Sequence, residues 1–71
     1  MRFSRHAKNN LRLYEVTIQE VESVVRDSIG KDSDERGNPR YLGLIAGRPY
    51  RVVIALDDSD VVITHFPEER G

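Results

Sequence analysis

The 71-residue chain contains no cysteine, which removes disulfide staples, thiolate nucleophiles and the usual structural zinc patterns together. Its two histidines, His6 and His65, are isolated and do not replace a metal-binding set, so neither a metal nor another cofactor is expected. No apolar run reaches the length of a membrane span or a secretory signal core, which makes a soluble cytoplasmic protein with no membrane partner the default expectation. A phosphate-cradling glycine loop is also missing, and so short a chain has little room for a deep pocket, which disfavours a conventional metabolic enzyme with a small-molecule cofactor. Repeats, linkers and low-complexity tracts are absent. One domain spanning 1–71 is expected, near the lower size limit for folding on a single core.

Net charge is scarce as well, at -1, but its distribution is uneven. Residues 1–14 carry Arg2, Arg5, Lys8 and Arg12 with no acid, and residues 38–56 carry Arg40, Arg48 and Arg51 with no acid. Acidic residues dominate the other two stretches, 15–37 and 57–71. A near-neutral chain built this way holds a local positive field only if its fold brings the two basic blocks together.

Local patterns divide the chain into helices and then strands. Ser4 is placed to cap a first helix running to about Leu13, with Ala7, Leu11 and Tyr14 as its apolar stripe. Thr17 and Glu20 form a T-x-x-E capping box, flanked by Val16 and Val21 at hydrophobic-staple positions, so a second helix starts at Ile18. Ile18, Val21, Val24 and Val25 are its expected inner face, and it should fade near Asp27, before Gly30. Residues 30–39 read as a polar surface loop, with a short edge strand around 28–31. "RYLGLIAG", "PYRVVIALDD" and "DVVITHF" then read as strands joined by turns at Gly47-Arg48-Pro49 and Asp58-Ser59.

A two-residue turn at Asp58-Ser59 pairs Leu56 with Val61, Ile54 with Ile63 and Val52 with His65. A turn at Gly47-Arg48 pairs Ile45 with Tyr50, Gly43 with Val52 and Tyr41 with Ile54. One face then collects Tyr41, Ile45, Tyr50, Val52, Ile54, Leu56, Val61 and Ile63, and is assigned to the helices; a one-residue slip exchanges the faces. The opposite face, with Leu42, Leu44, Arg51, Val53, Val62, Thr64 and Phe66, is too apolar to be merely solvated and is a candidate binding surface. The expected architecture is α+β: two N-terminal helices packed on one face of a three- to four-stranded antiparallel meander.

"FSRHAKNNLRLYEVTIQEVESVV" and "GRPYRVVIALDDSDVVIT" resemble, in order and spacing, a small bacterial domain-of-unknown-function family with an S-x-H-A-x-x-R opening. That family looks related to BrnT-like toxins of the RelE/ParE-type toxin superfamily. "NLRLYEVTIQEV" is similar to a BrnT stretch, with Asn10 at its asparagine. Asn10 and Tyr14 stand where the family usually has arginine, and Glu15 where it has glycine. The resemblance implies a RelE/BrnT-like fold and a toxin-like protein of the type II toxin-antitoxin class. Its activity would be that of a metal-independent RNA endonuclease or translation inhibitor, made beside a protein antitoxin. The alternative is a non-catalytic interaction module on the same scaffold, pairing with a partner or with itself as a homodimer.

RNA cleavage without a metal needs a base, an acid and cations at the crowded phosphate. His6, Arg51 and Arg12 are the candidate catalytic residues, and Lys8, Arg40, Arg48 and Tyr41 the candidate RNA-binding residues. Each has a structural counterpart: His6 packed on the sheet and bonded to a carbonyl, Arg51 as a charge breaking up an exposed sheet, Lys8 and Arg12 as a solvated helix face. Tyr41 and Phe66 are base-stacking candidates or strand aromatics of the core or its rim. His65, opposite Val52, reads as a satisfied core or edge histidine, and Glu68 and Glu69 as a frayed acidic end.

Overall fold

A computed structural model describes residues 1–68 of the chain. In order, the elements are β1 (Arg2–Phe3), α1 (Arg5–Leu13), α2 (Ile18–Arg26), β2 (Gly30–Ser33), β3 (Pro39–Ile45), β4 (Arg48–Ala55) and β5 (Asp58–Pro67). The sheet has five strands in the order β1-β5-β4-β3-β2. It is mixed rather than an antiparallel meander: β1 adds to the outer edge of β5 in parallel, Arg2 opposite Val61 and Phe3 opposite Val62. Two residues preceding a helix cap carry too little periodicity to announce a strand.

Both helices form where their caps place them. The Ser4 hydroxyl accepts from the Ala7 amide at 3.1 Å and donates to the Ile63 carbonyl at 2.7 Å, so one side chain starts α1 and ties it to β5. α1 ends in a Schellman motif: the Val16 amide bonds the Leu11 carbonyl at 3.0 Å and the Glu15 amide bonds the Arg12 carbonyl at 3.3 Å. Glu15 occupies the left-handed position of that motif, at φ 55°, a conformation that suits glycine. In the capping box of α2, the Thr17 amide reaches Glu20 Oε1 at 2.9 Å and the Glu20 amide reaches Thr17 Oγ1 at 3.1 Å.

The β3–β4 turn lies one residue earlier than expected, at Ala46-Gly47, whose φ angles of 52° and 77° fit a two-residue primed turn. Ile45 pairs with Arg48, Gly43 with Tyr50 and Tyr41 with Val52, a register offset of two residues that leaves every side chain on its expected face. In the next hairpin Val52 does pair with His65, but the turn is at Leu56-Asp57 and the ladder shifts on both sides of Ile54. Val53 faces Thr64 while Ile54 faces Val62, leaving Ile63 as an extra residue. This bulge reverses the alternation of β5 beyond it: Val62 enters the core, where Val61 and Ile63 were expected; Leu56, also expected inside, lies in the turn and is 66% exposed.

Ala7, Val21, Val24, Tyr50, Val52, Ile54 and Val62 form the core, with Phe3, Leu11, Val16, Val25, Tyr41 and Ile45 packed around it. Ile18, expected inside, is 46% exposed at the first turn of α2. Gly43 admits α2 onto β3, because a Cβ there would lie 3.1 Å from the Cα, Cγ1 and carbonyl oxygen of Val24. Residue Glu68 is not frayed: its amide bonds the Pro49 carbonyl at 3.0 Å. Glu69 lies outside the described residues.

Candidate polyanion-binding surface

Helical geometry sorts α1 into two faces. Ala7, Asn10 and Leu11 pack inward, so Arg5, Lys8, Asn9 and Arg12 share the opposite, exposed side. Neither these three cations nor Arg48 makes an ion pair with a described carboxylate. His6 is exposed on the flank of this ridge, with Nε2 at 3.4 Å from the Asn10 amide nitrogen. Asn10 itself is 6% exposed. Its amide donates to the His65 carbonyl at 3.0 Å and to Thr64 Oγ1 at 3.2 Å, closing the stretch of β5 that β1 leaves unpaired.

The sheet arginines have a different environment. Tyr50 and Val52 point into the core, so Arg51 between them extends from the face turned away from the helices. It is 12% exposed, with Nε at 2.6 Å from Glu68 Oε2 and a terminal nitrogen at 3.5 Å from Asp32 Oδ1. Arg40 grips both oxygens of Asp32, at 2.7 and 2.6 Å, and this fork holds the Asp32 carboxyl below the usual aspartate range. Tyr41 packs against the core on the helix side, with Lys31 Nζ at 5.3 Å from its ring centre. Of the residues singled out in the sequence, His6, Lys8 and Arg12 therefore share α1, whereas Arg40 and Arg51 lie in an ion-pair network on the other side of the sheet.

At the C-terminal end of α1 a cleft of about 490 Å³ opens between the α1–α2 joint and the β3–β4 turn. Tyr14, Glu15, Arg48 and Tyr50 line it, and Glu15 also borders a shallow depression with Arg12 and Asn9. The cleft walls include Glu15 and Ala46, the non-glycine residues with positive φ. Tyr14 stands edge-on to Tyr50, ring centres 6.5 Å apart, and remains 37% exposed.

Beneath the cleft runs a buried polar chain. His65 Nε2 lies 2.8 Å from the Ala7 carbonyl, and Nδ1 lies 2.6 Å from the Tyr50 hydroxyl. A carbonyl only accepts, so Nε2 carries the proton, leaving Nδ1 to accept from Tyr50. Burial pushes the His65 pKa below the ordinary 6.5 and, for Tyr50, disfavours the phenolate. His65 is thus a satisfied core histidine. Asn10 and Tyr50 have structural roles that single-residue patterns do not display; the available signal for Asn10 was an amide beside Ala7 and Leu11 on the inner stripe of α1.

Among the described residues no group of three or more histidine or acidic side chains is placed to hold a metal. No described helix is long and apolar enough to cross a membrane. The chain belongs to the family described as a domain of unknown function, DUF4258, whose model matches residues 3–66. No curated protein and no solved structure matches it significantly.

Proposed function

We propose that the protein is a toxin-like RNA-binding protein that inhibits translation through contacts made by α1, on a RelE/BrnT-like arrangement of helices and hairpins. The observation carrying this reading is that Arg5, Lys8 and Arg12 share one exposed helix face without a described acidic partner. Basic side chains at this spacing follow a phosphate backbone and release counterions from it. Binding rather than cleavage is the favoured activity. Arg51, needed beside His6 and Arg12 for a cleavage site, is held by Glu68 and Asp32. A protein antitoxin that covered the ridge would present acidic residues to it.

Titration of single-stranded RNA across a salt series tests the proposal. Three phosphate contacts give a log–log slope of about -2, and the combined Arg5→Gln, Lys8→Gln and Arg12→Gln variant should bring it close to zero. Absence of binding at low salt overturns the reading. RNA cleavage abolished by both His6→Ala and Arg51→Ala would replace it with the endonuclease version.

A second reading, a non-catalytic protein-interaction module, is favoured by Leu44, which stands 51% exposed on the sheet face opposite the helices. Self-association in sedimentation, lost in Leu44→Lys, supports it. A monomer at high concentration counts against the homodimer.

A further inference from the structure

We infer that the cleft at the C-terminal end of α1 is a nucleobase subsite, taking one unpaired guanine against the exposed ring of Tyr14. The inference rests on the RNA-binding reading and specifies what lies at the end of the phosphate track. Arg12 and the cleft share Glu15 as a common wall, so a strand following the ridge reaches the cleft within a short distance.

Three side chains give the cleft its chemistry. Tyr14 presents an aromatic surface braced edge-on by the buried Tyr50 ring, and base–aromatic stacking is the sequence-tolerant part of single-strand binding. Glu15 and Arg48 have no hydrogen bond or ion pair with a described side chain, although both line the cleft. Glu20 differs, because its Oε1 is occupied by the Thr17 amide. The cleft therefore offers one carboxylate that accepts and one guanidinium that donates. Guanine matches both, with adjacent N–H groups at N1 and N2 for a carboxylate and adjacent acceptors at O6 and N7 for an arginine. Uracil has a single N–H donor and no exocyclic amine, and cannot satisfy the carboxylate in the same way.

Glu15 also breaks two local rules. It occupies a left-handed position at φ 55°, where glycine is free of strain, and it puts a negative charge at the end of a helix whose dipole is already negative there. A charged side chain held against both preferences is a recurrent mark of a functional position. The only other described non-glycine residue with positive φ, Ala46, lies in the same cleft.

The test uses two short single-stranded oligonucleotides, all-uridine and the same sequence with one central guanosine, titrated against the full chain by fluorescence anisotropy. One guanosine should tighten binding by about fivefold or more, the lower range of discrimination by a paired contact to a base edge. Tyr14→Ala should erase that difference and Tyr14→Phe should retain it, while Glu15→Gln and Arg48→Gln should each remove most of it. The combined α1 ridge variant should weaken both oligonucleotides equally. Equal affinity of the wild-type chain for the two RNAs, or a guanosine preference that survives Tyr14→Ala, overturns the subsite and leaves the ridge intact. Failure of either RNA to bind at low salt overturns the ridge reading itself.

Discussion

Glu15 is the residue at which local stability and proposed function pull apart. The Schellman geometry at the end of α1 requires a positive φ at this position whatever side chain is present. Glu15→Gly removes the left-handed strain and the unfavourable charge at the helix end, and should stabilise the fold by roughly 0.5–1 kcal/mol. In a domain of this size that raises Tm by several degrees, measurable by thermal unfolding. The same variant should lose the preference for guanosine, so stability and selectivity would move in opposite directions. The buried His65 yields a second residue-scale prediction. Its folded pKa lies below the ordinary 6.5, so the unfolded chain binds a proton that the native state resists. Stability contributed by neutral His65 is full above about 6.5 and is lost as pH falls toward the depressed native value. Urea midpoints should therefore decline from neutral pH toward pH ~5, still above the range in which Asp32 and Asp34, both held below 3.8, begin to protonate. A flat profile over that interval would contradict the depressed His65 pKa. That His65 is buried was legible in the sequence, because its position opposite Val52 fixes which way the ring points. Its bond to Tyr50 was not, since a diagonal contact between neighbouring strands depends on rotamers that a register does not specify.

At the scale of elements, helices and strands differed in how far the sequence exposed them. Both helices carry their boundary chemistry locally, in Ser4 for one and in Thr17 with Glu20 for the other, so their spans could be read directly. Hairpin registers depend instead on which residues accept positive φ. Ala46 accepts it here, although alanine gives no turn signal, and the resulting two-residue offset did no harm to the face assignment. The bulge at Ile63 had the larger consequence because one extra residue inverts the alternation. β1 and α1 together close the outer side of β5: the Ser4 amide bonds the Val62 carbonyl at 3.0 Å, and Asn10 bonds that of His65. An open strand edge would otherwise invite pairing with another chain. The packing of α2 depends on Gly43, where three Val24 atoms lie at 3.1 Å from an ideal Cβ, two of them backbone. Backbone cannot rotate aside, so Gly43→Ala must lift α2 from β3. The expected cost is roughly 1–3 kcal/mol, read as a lower urea midpoint, whereas Gly47→Asn at the β3–β4 turn has open space and should be tolerated, since asparagine accepts positive φ.

Charge is legible only at the scale of the whole molecule. The sequence shows two acid-free basic blocks, and the fold separates them. Of the first, Arg5, Lys8 and Arg12 lie along α1, facing out, while Arg2 on β1 pairs with Asp58 and Asp60. The second is divided, with Arg48 in the cleft and Arg40 and Arg51 on the far sheet face beside Asp32 and Glu68. Those acids come from the regions of excess negative charge, so sequence distance concealed a neutralisation that strand pairing brings about. Arg40 and Arg51 thus act as the centre of a network joining β2, β3, β4 and the residue after β5. The two possible roles of Arg51 predict different consequences for one substitution. Arg51→Gln removes the largely buried cation that ties Glu68 to β4, while Arg40 still holds Asp32, and should lower the unfolding midpoint. As a structural residue it should change the unfolding midpoint while leaving RNA affinity and its salt slope unaltered at temperatures where the variant remains folded. A phosphate-binding Arg51 would instead lower the slope by roughly 0.7, and it would do so even where circular dichroism reports a native fold. Measuring both quantities on the same variant separates the roles, because loss of a sheet brace and loss of a phosphate contact register in different observables.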